Sequence, residues 1–251
     1  MKIINSISND FIKFAISLKN AGNQKKYSKY LIEGEKMTKL AFKLKETDCI
    51  LITNQKYIKE FDNFDNIILI NNNVAKKISS LVNHQGYFAI CNIKQKNFDY
   101  KSNFLILDGV QDPGNMGTLL RSALAFGFKN IISTDNSVSY YNEKVLRATQ
   151  SNHFELNLLT TTSLLETINI LKNKDIVIFG TSLNKKNHDI NYDVNKCCAL
   201  ILGNEGKGID KSLEVLFDKN LIIKMENNVE SLNVGVAGSI LMKDLFYYKT
   251  R

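Results

Sequence analysis

No stretch of this chain approaches the roughly 20 apolar residues that a membrane-spanning helix needs. The opening MKIINSISNDFIKF holds no apolar run long enough for a signal peptide. Four cysteines, Cys49, Cys91, Cys197 and Cys198, form no Cys-x-x-Cys pair, and His84, His153 and His188 are scattered. No zinc or redox motif is therefore legible, and the expectation is a cytoplasmic protein with reduced thiols, no metal and no membrane segment. Two phosphate-binding signatures are missing as well. In GNEGKGI, Lys207 is followed by Gly208 where a Walker A loop needs Ser or Thr, and the spacing is not G-x-G-x-x-G. ATP hydrolysis and NAD chemistry thus lose their main motif support. Arginine is scarce: Arg121, Arg147 and Arg251 are the only three among 33 basic residues. In so lysine-rich a chain, an internal arginine points to a need for the planar five-donor fork of the guanidinium.

What is present has the composition of a folded protein, with 44% hydrophobic and 23% charged residues. A length of 251 residues allows one large domain or two modest ones. The net charge of +8 is unevenly placed: residues 1–94 hold 15 lysines against 8 acidic residues, and residues 95–251 hold 18 basic against 17 acidic. An excess concentrated in the first part suits a grip on a phosphate backbone; a lysine-rich solvated surface would read the same way without further motifs.

Along the chain, residues 8–20 predict an amphipathic helix carrying Phe11, Phe14, Ala15 and Leu18, followed by a polar basic loop, AGNQKKYSK. Strand-like and helix-like pieces then alternate: strands at 30–32, 49–53, 67–70 and 87–93, helices at 35–45, 55–61 and 73–82. This rhythm predicts a small α/β domain over 1–94. The polar segment KQKNFDYKSN, without glycine or proline, predicts a short connector over 95–102, and a second domain occupies 103–251. It opens with a strand at 104–107 and the turn DGVQDPGNMG, which contains Pro113, the only proline. The helix after it buries Met116, Leu119 or Leu120, and Ala123, and places Gly117 one turn from Arg121 on the same face. In isolation this is a Gly-Pro loop with a surface arginine. Further on come a strand at 130–133, the helix NEKVLRA with Arg147, a helix at 163–172, and strands at 176–181 and 199–202, the last running into GNEGKGI.

The C-terminal stretch LIIKMENNVESLNVGVAGSILMKDLFYY predicts a strand at 221–223, a turn at Asn227-Asn228, and a helix starting near Ser231 as its cap. Leu232, Val236 and Ile240 form its expected buried stripe. Gly235 and Gly238 each cost a helix roughly 1 kcal/mol against alanine, which suggests that another backbone or a ligand comes close.

Taken in order, N-x-G-x-x-x-R (Asn115 to Arg121), LGNEGxG (Leu202 to Gly208) and SLNVxxA (Ser231 to Ala237) resemble the SpoU/TrmH family of RNA ribose 2′-O-methyltransferases, within the SPOUT class. KYLIEGEKMTKLA (29–41) resembles the family's N-terminal RNA-binding domain, so the likeness spans nearly the whole chain. The resemblance implies an α/β fold: a small N-terminal α/β RNA-binding domain, and a C-terminal α/β domain whose last 50 or so residues form a trefoil knot, an exception to the usual avoidance of threaded chains. It also implies S-adenosylmethionine as cofactor, transfer of its methyl group to a ribose 2′-hydroxyl, and a homodimer.

By the same resemblance Arg121 is the catalytic residue, with Asn115 and Glu205 orienting it or the substrate. Gly203, Ile223, Met225 and Leu232 bind the cofactor, largely through backbone groups, and Ser231 and Asn233 order the adjoining turn. A ribose hydroxyl is a weak acid and a guanidinium a poor proton acceptor, so stabilisation of developing alkoxide by Arg121, or assistance by an RNA phosphate, is the role that fits. Three departures from the family pattern stand out: Lys224 where proline is common, Gly235 where serine is common, and Gln150-Ser151 where a small residue and glycine are usual, which leaves the role of Arg147 open. The expected substrate is large-subunit ribosomal RNA. The same chemistry on tRNA, methylation conferring antibiotic resistance, and a non-catalytic RNA-binding or ribosome-associated protein are the alternatives.

Overall fold

The computed structural model describes residues 2–181, 190–226 and 231–250. In chain order it contains β1 (Lys2–Ile4), α1 (Asp10–Ser17), α2 (Ala21–Tyr27), β2 (Lys29–Glu33), α3 (Glu35–Lys43), β3 (Thr47–Ile52), β4 (Ile67–Ile70), α4 (Asn72–Ile78) and β5 (Tyr87–Asn92). These are followed by β6 (Phe104–Leu107), α5 (Pro113–Ala125), β7 (Asn130–Thr134), α6 (Glu143–Thr149), β8 (Asn157–Thr161), α7 (Leu164–Lys172), β9 (Val177–Thr181), β10 (Cys198–Leu202), β11 (Lys219–Leu221) and α8 (Val234–Thr250). Short 3₁₀ turns lie at Gln55–Glu60, Asn152–Glu155 and Lys211–Leu216. The chain forms two compact units, residues 1–94 with 141–151, and residues 95–140 with 152–251. Segment 141–151, with Arg147, thus belongs to the first unit, although sequence order places it within the second domain.

The first unit is a five-stranded sheet in the order β1-β4-β3-β5-β2. β1, β4 and β3 pair in parallel, and β5 runs antiparallel to both β3 and β2. Strand side chains alternate between faces. Leu31, Leu51, Ile68, Ile70, Phe88 and Ile90 point to the side covered by Ile12, Ala15 and Leu18 from the first helix and Val74, Ala75 and Ile78 from α4. The α1 stripe is therefore shifted from expectation: Ile12 is buried while Phe11 and Phe14 only partly pack against the cluster. Two further corrections concern local structure. AGNQKKYSK is not a loop; Asn20 accepts hydrogen bonds from the Gly22 and Asn23 amides at 2.9 and 3.3 Å and starts α2. The helix expected at 55–61 is a 3₁₀ turn.

The second unit is a six-stranded, all-parallel sheet in the order β11-β9-β10-β6-β7-β8. A parallel sheet covered on both faces explains the unbroken apolar runs FLIL and CALIL. Phe104, Ile106, Ala199 and Ile201 face Leu164, Ile168 and Leu171 of α7. On the other face Leu202 reaches the backbone of α8 at Gly238. Residues just before β6 are anchored, not loose: Asn130 Oδ1 accepts from the Asp99 amide at 2.9 Å, Asn103 Oδ1 accepts from the Cys198 amide at 3.1 Å, and the Phe98 ring lies 5.5 Å from Phe104. β11 ends at Leu221, so Ile223 lies beyond the strand and not in it. The turn Asn227-Asn228 falls outside the described residues, as does part of the stretch in which the knot is expected.

Candidate active site

In an all-parallel sheet, the ends from which helices depart carry the loops that bind ligands. At the end of β6 the chain turns through Gly109 (φ 74°) to Asp112, whose Oδ1 accepts from the Asn115 amide at 2.8 Å and caps α5. Pro113 occupies the first turn, where its missing N–H costs nothing. The Asp-Pro pair was therefore a readable helix start, although Asp112 was not singled out from the sequence.

At the end of β10, Gly203 meets the chain folding back on itself. A Cβ there would sit 2.1 Å from the Gly208 carbonyl carbon and 2.2 Å from the Ile209 nitrogen, so backbone alone fits. Asn204, also not singled out, ties this turn together. Its Oδ1 accepts from the Gly206 and Lys207 amides at 2.9 and 3.1 Å, and its Nδ2 donates to the Gly109 carbonyl at 2.7 Å. The two loops are thus joined by one side chain.

α5 and α8 pack in the same sense. Asn115 lies against Gly235, Leu119 against Gly238, Ser122 hydrogen-bonds Ser239 at 2.7 Å, and the Phe126 and Phe246 rings lie 6.0 Å apart. The glycines permit this approach: a Cβ on Gly238 would lie 2.4 Å from both Leu119 and Leu202 side chains. Gly235, Gly238, Leu241, Met242 and Leu245 form the buried face of α8, while Val236 is 47% exposed. The stripe expected from Leu232, Val236 and Ile240 is accordingly overturned, because helix-on-helix contact is made through the small residues. The cap is corrected too. Asn233, not Ser231, accepts from the Gly235 and Val236 amides at 2.9 and 3.2 Å.

Parallel packing brings the positive ends of both helices together. There Asn233 Nδ2 donates to Asn115 Oδ1 at 2.8 Å, and Asn115 Nδ2 donates to Glu205 Oε1 at 2.9 Å. Three residues from three separate motif blocks form one hydrogen-bonded row. Burial pushes the Glu205 carboxyl up, but hydrogen bonds from Asn115 and from the backbone amides of Glu205, Asp112 and Gln111 outweigh it and hold the group below the usual carboxylate range. An anion at the N-terminus of α5 is where helix electrostatics favour one.

Among the described residues, no hydrogen bond joins the remaining sequence-predicted residues to this row. Arg121 lies exposed further along α5, beyond the buried Gly117, and makes no hydrogen bond or ion pair among the described residues. Ile223, Met225 and Leu232 are half-buried on either side of residues 227–230, and Ser231 is exposed.

A family model described as the SpoU rRNA Methylase family matches residues 102–243. The chain is 30% identical over 250 residues, 98% of its own length and 99% of the other's, to the 23S rRNA (guanosine(2553)-2′-O)-methyltransferase RlmP of Bacillus subtilis (strain 168). Among solved structures it is similar in fold to a putative RNA methyltransferase of the TrmH family from Porphyromonas gingivalis, with TM-score 0.85, 23% identity and coverage of 96% and 98% of the two chains. It is similar also to an AdoMet-bound rRNA methyltransferase from Sinorhizobium meliloti, with TM-score 0.86, 20% identity and 98% of each chain covered. With the three motif blocks meeting at one point and a full-length relative of the same class, this chain belongs to the SpoU rRNA methylase family.

Proposed function

We infer that the protein is an S-adenosylmethionine-dependent methyltransferase that modifies a ribose 2′-hydroxyl in large-subunit ribosomal RNA. The observation that carries this reading is the row Asn233–Asn115–Glu205, which assembles motif residues far apart in the chain at two helix N-termini. Its length-wide likeness to a 23S rRNA 2′-O-methyltransferase supports the substrate class.

S-adenosylmethionine suits the residues present: Gly203 offers backbone alone at a strand end, and Ile223, Met225 and Leu232 offer half-buried apolar groups for an adenine and a methionine chain. When bound, its sulfonium supplies an activated methyl group. Asn115 and Glu205 hold the first turn of α5 and the 203–208 loop in register. Arg121, exposed and without an ion pair among the described residues, is free to face the ribose oxygen and stabilise the charge that develops as its proton passes to an RNA phosphate oxygen or to water. Ser231 and Asn233 order the chain that enters α8.

The first unit, with its lysine excess, is the RNA-binding part, and the working form is a homodimer with the C-terminal domain knotted. No helix among the described residues is long and apolar enough to cross a membrane.

The test is methyl transfer from radiolabelled S-adenosylmethionine to total RNA from a strain lacking the protein, with products mapped by nucleoside mass spectrometry. A 2′-O-methylated nucleoside in a 23S fragment is expected. Absence of both transfer and cofactor binding would leave a non-catalytic RNA-binding protein in its place.

A further inference from the structure

From Phe11 to Ile32 the chain contains five lysines and no acidic residue. Three of these lysines are neutralised from elsewhere in the first unit: Lys13 by Asp10 at 3.1 Å, Lys19 by Glu143 at 3.5 Å, and Lys29 by Asp48 at 2.6 Å. Lys25 and Lys26 are the exception. Both are exposed on α2, and neither has a carboxylate within ion-pairing distance among the described residues.

α2 is held firmly from its inner side. Gln24 is 2% exposed, and its Nε2 donates to the Leu18 and Tyr141 carbonyls at 2.9 and 3.0 Å. Asn23 Nδ2 donates to the Ser17 carbonyl at 3.1 Å, and Asn20 caps the helix. Ser28, at φ 50°, ends it abruptly. These ties leave Lys25, Lys26 and Tyr27 on a fixed outer surface.

Tyr27 is 41% exposed. Its ring stands edge-on to Phe14, with centroids 5.1 Å apart and planes at 85°, and Lys26 Nζ lies 5.0 Å from its centroid. An oriented ring with one unneutralised ammonium beside it and a second on the same short helix combines the two elements that hold single-stranded nucleic acid: a stacking face for a base and cations for nearby phosphates.

We propose that the outer surface of α2, made of Lys25, Lys26 and Tyr27, is a contact for an unpaired segment of the RNA substrate, with a base stacked on Tyr27 and neighbouring phosphates on the two lysines. The proposal rests on the reading of the protein as an RNA methyltransferase and places one part of its RNA grip on a named helix. Charge complementarity favours this occupant, because two unneutralised lysines and an exposed ring match a chain that carries both phosphates and aromatic bases.

The test uses the full-length protein and a transcript of large-subunit ribosomal RNA, with affinity measured across a salt series. In Lys25→Ala/Lys26→Ala the slope of log affinity against log salt should become shallower by about 1.4 to 1.8, the loss of two phosphate contacts. A control, Lys76→Ala/Lys77→Ala, removes the same charge from α4 and should change the slope by less. Tyr27→Leu keeps an apolar contact for Phe14 but removes the stacking face, and should weaken binding roughly fivefold or more; Tyr27→Phe should bind as the parent does. Cofactor affinity should be equal in all of them. An unchanged slope in the α2 double variant, an equal change in the α4 control, or full binding by Tyr27→Leu would overturn the proposal while the parent still binds and methylates RNA. A parent protein that neither binds nor methylates the transcript would instead remove the underlying reading.

Discussion

Asn233 donates to Asn115 across the interface of α8 and α5, at 2.8 Å and 118 residues apart in sequence. The direction of this bond is dictated from the far end of the row. An ionised carboxylate can only accept, so Glu205 forces Asn115 to present its NH₂ group to it. The Asn115 oxygen is then left to accept, which turns the Asn233 amide so that its own oxygen faces the first amides of α8. One acidic residue in a glycine-rich loop thereby sets the cap of the last helix.

Replacing Asn115 with Asp should break this logic at its centre. A second carboxylate would face Glu205, and like charges at hydrogen-bond distance raise one of the two pKa values. The melting temperature of Asn115→Asp should lie below that of the parent at neutral pH. It should recover as pH falls through the carboxylate range and one proton restores a bond. A pH-independent deficit, read by thermal denaturation, would count against the proposed row.

Arg121→Ala should lower the rate of methyl transfer by about 10²- to 10³-fold, the scale of losing one preorganised charge-stabilising donor. Because Arg121 is exposed and makes no bond among the described residues, folding stability should change by under about 0.5 kcal/mol. Arg121→Lys keeps the charge but loses the planar fork, and should remain impaired. Single-turnover assays with saturating cofactor decide this, and turnover comparable to the parent would remove Arg121 from catalysis.

His153 gives the second unit a defined sensitivity to acid. Burial, with the Lys96 ammonium adding to it, pushes the imidazole down to about 3. In the unfolded chain the same group titrates near its ordinary value of about 6.5. Between these values the unfolded state binds a proton that the folded state refuses. Stability is therefore full above about pH 6.5 and declines as pH falls toward 3. His153→Phe should flatten the decline measured by urea denaturation in that window.

Ser151 sits at φ 77° and Gln150 at φ 50°, where backbone of this hand costs a side-chain-bearing residue roughly 1–2 kcal/mol. The family's usual glycine near this place has a plain physical reason: it relieves that cost. Ser151→Gly should raise stability by about 1 kcal/mol, less whatever entropy glycine adds to the unfolded chain. A fall in the denaturation midpoint would show that the serine side chain contributes more than the backbone conformation costs.

Much of the molecule followed from local signals that act over a few residues. The runs FLIL and CALIL declared strands, and the apolar spacing of Met116, Leu119, Leu120 and Ala123 declared the buried side of α5, while the helix start at Asp112-Pro113 read only as a turn. The family resemblance grouped Asn115 and Glu205 with Arg121 and set Asn233 with the cofactor-binding turn; the hydrogen bonds instead join Asn115 to Glu205 and Asn233. Tertiary structure decided which faces were used and which atoms met. Val236 is exposed and Gly235 and Gly238 are buried because α8 packs along α5 through its smallest residues, and no count of apolar spacing registers a contact made by the lack of a side chain. Segment 141–151 joins the first unit, held there through Tyr141, Glu143 and Leu146, although chain order sets it inside the second. Local pattern tells what a residue requires of its surroundings; only the folded chain supplies the neighbour that meets the requirement.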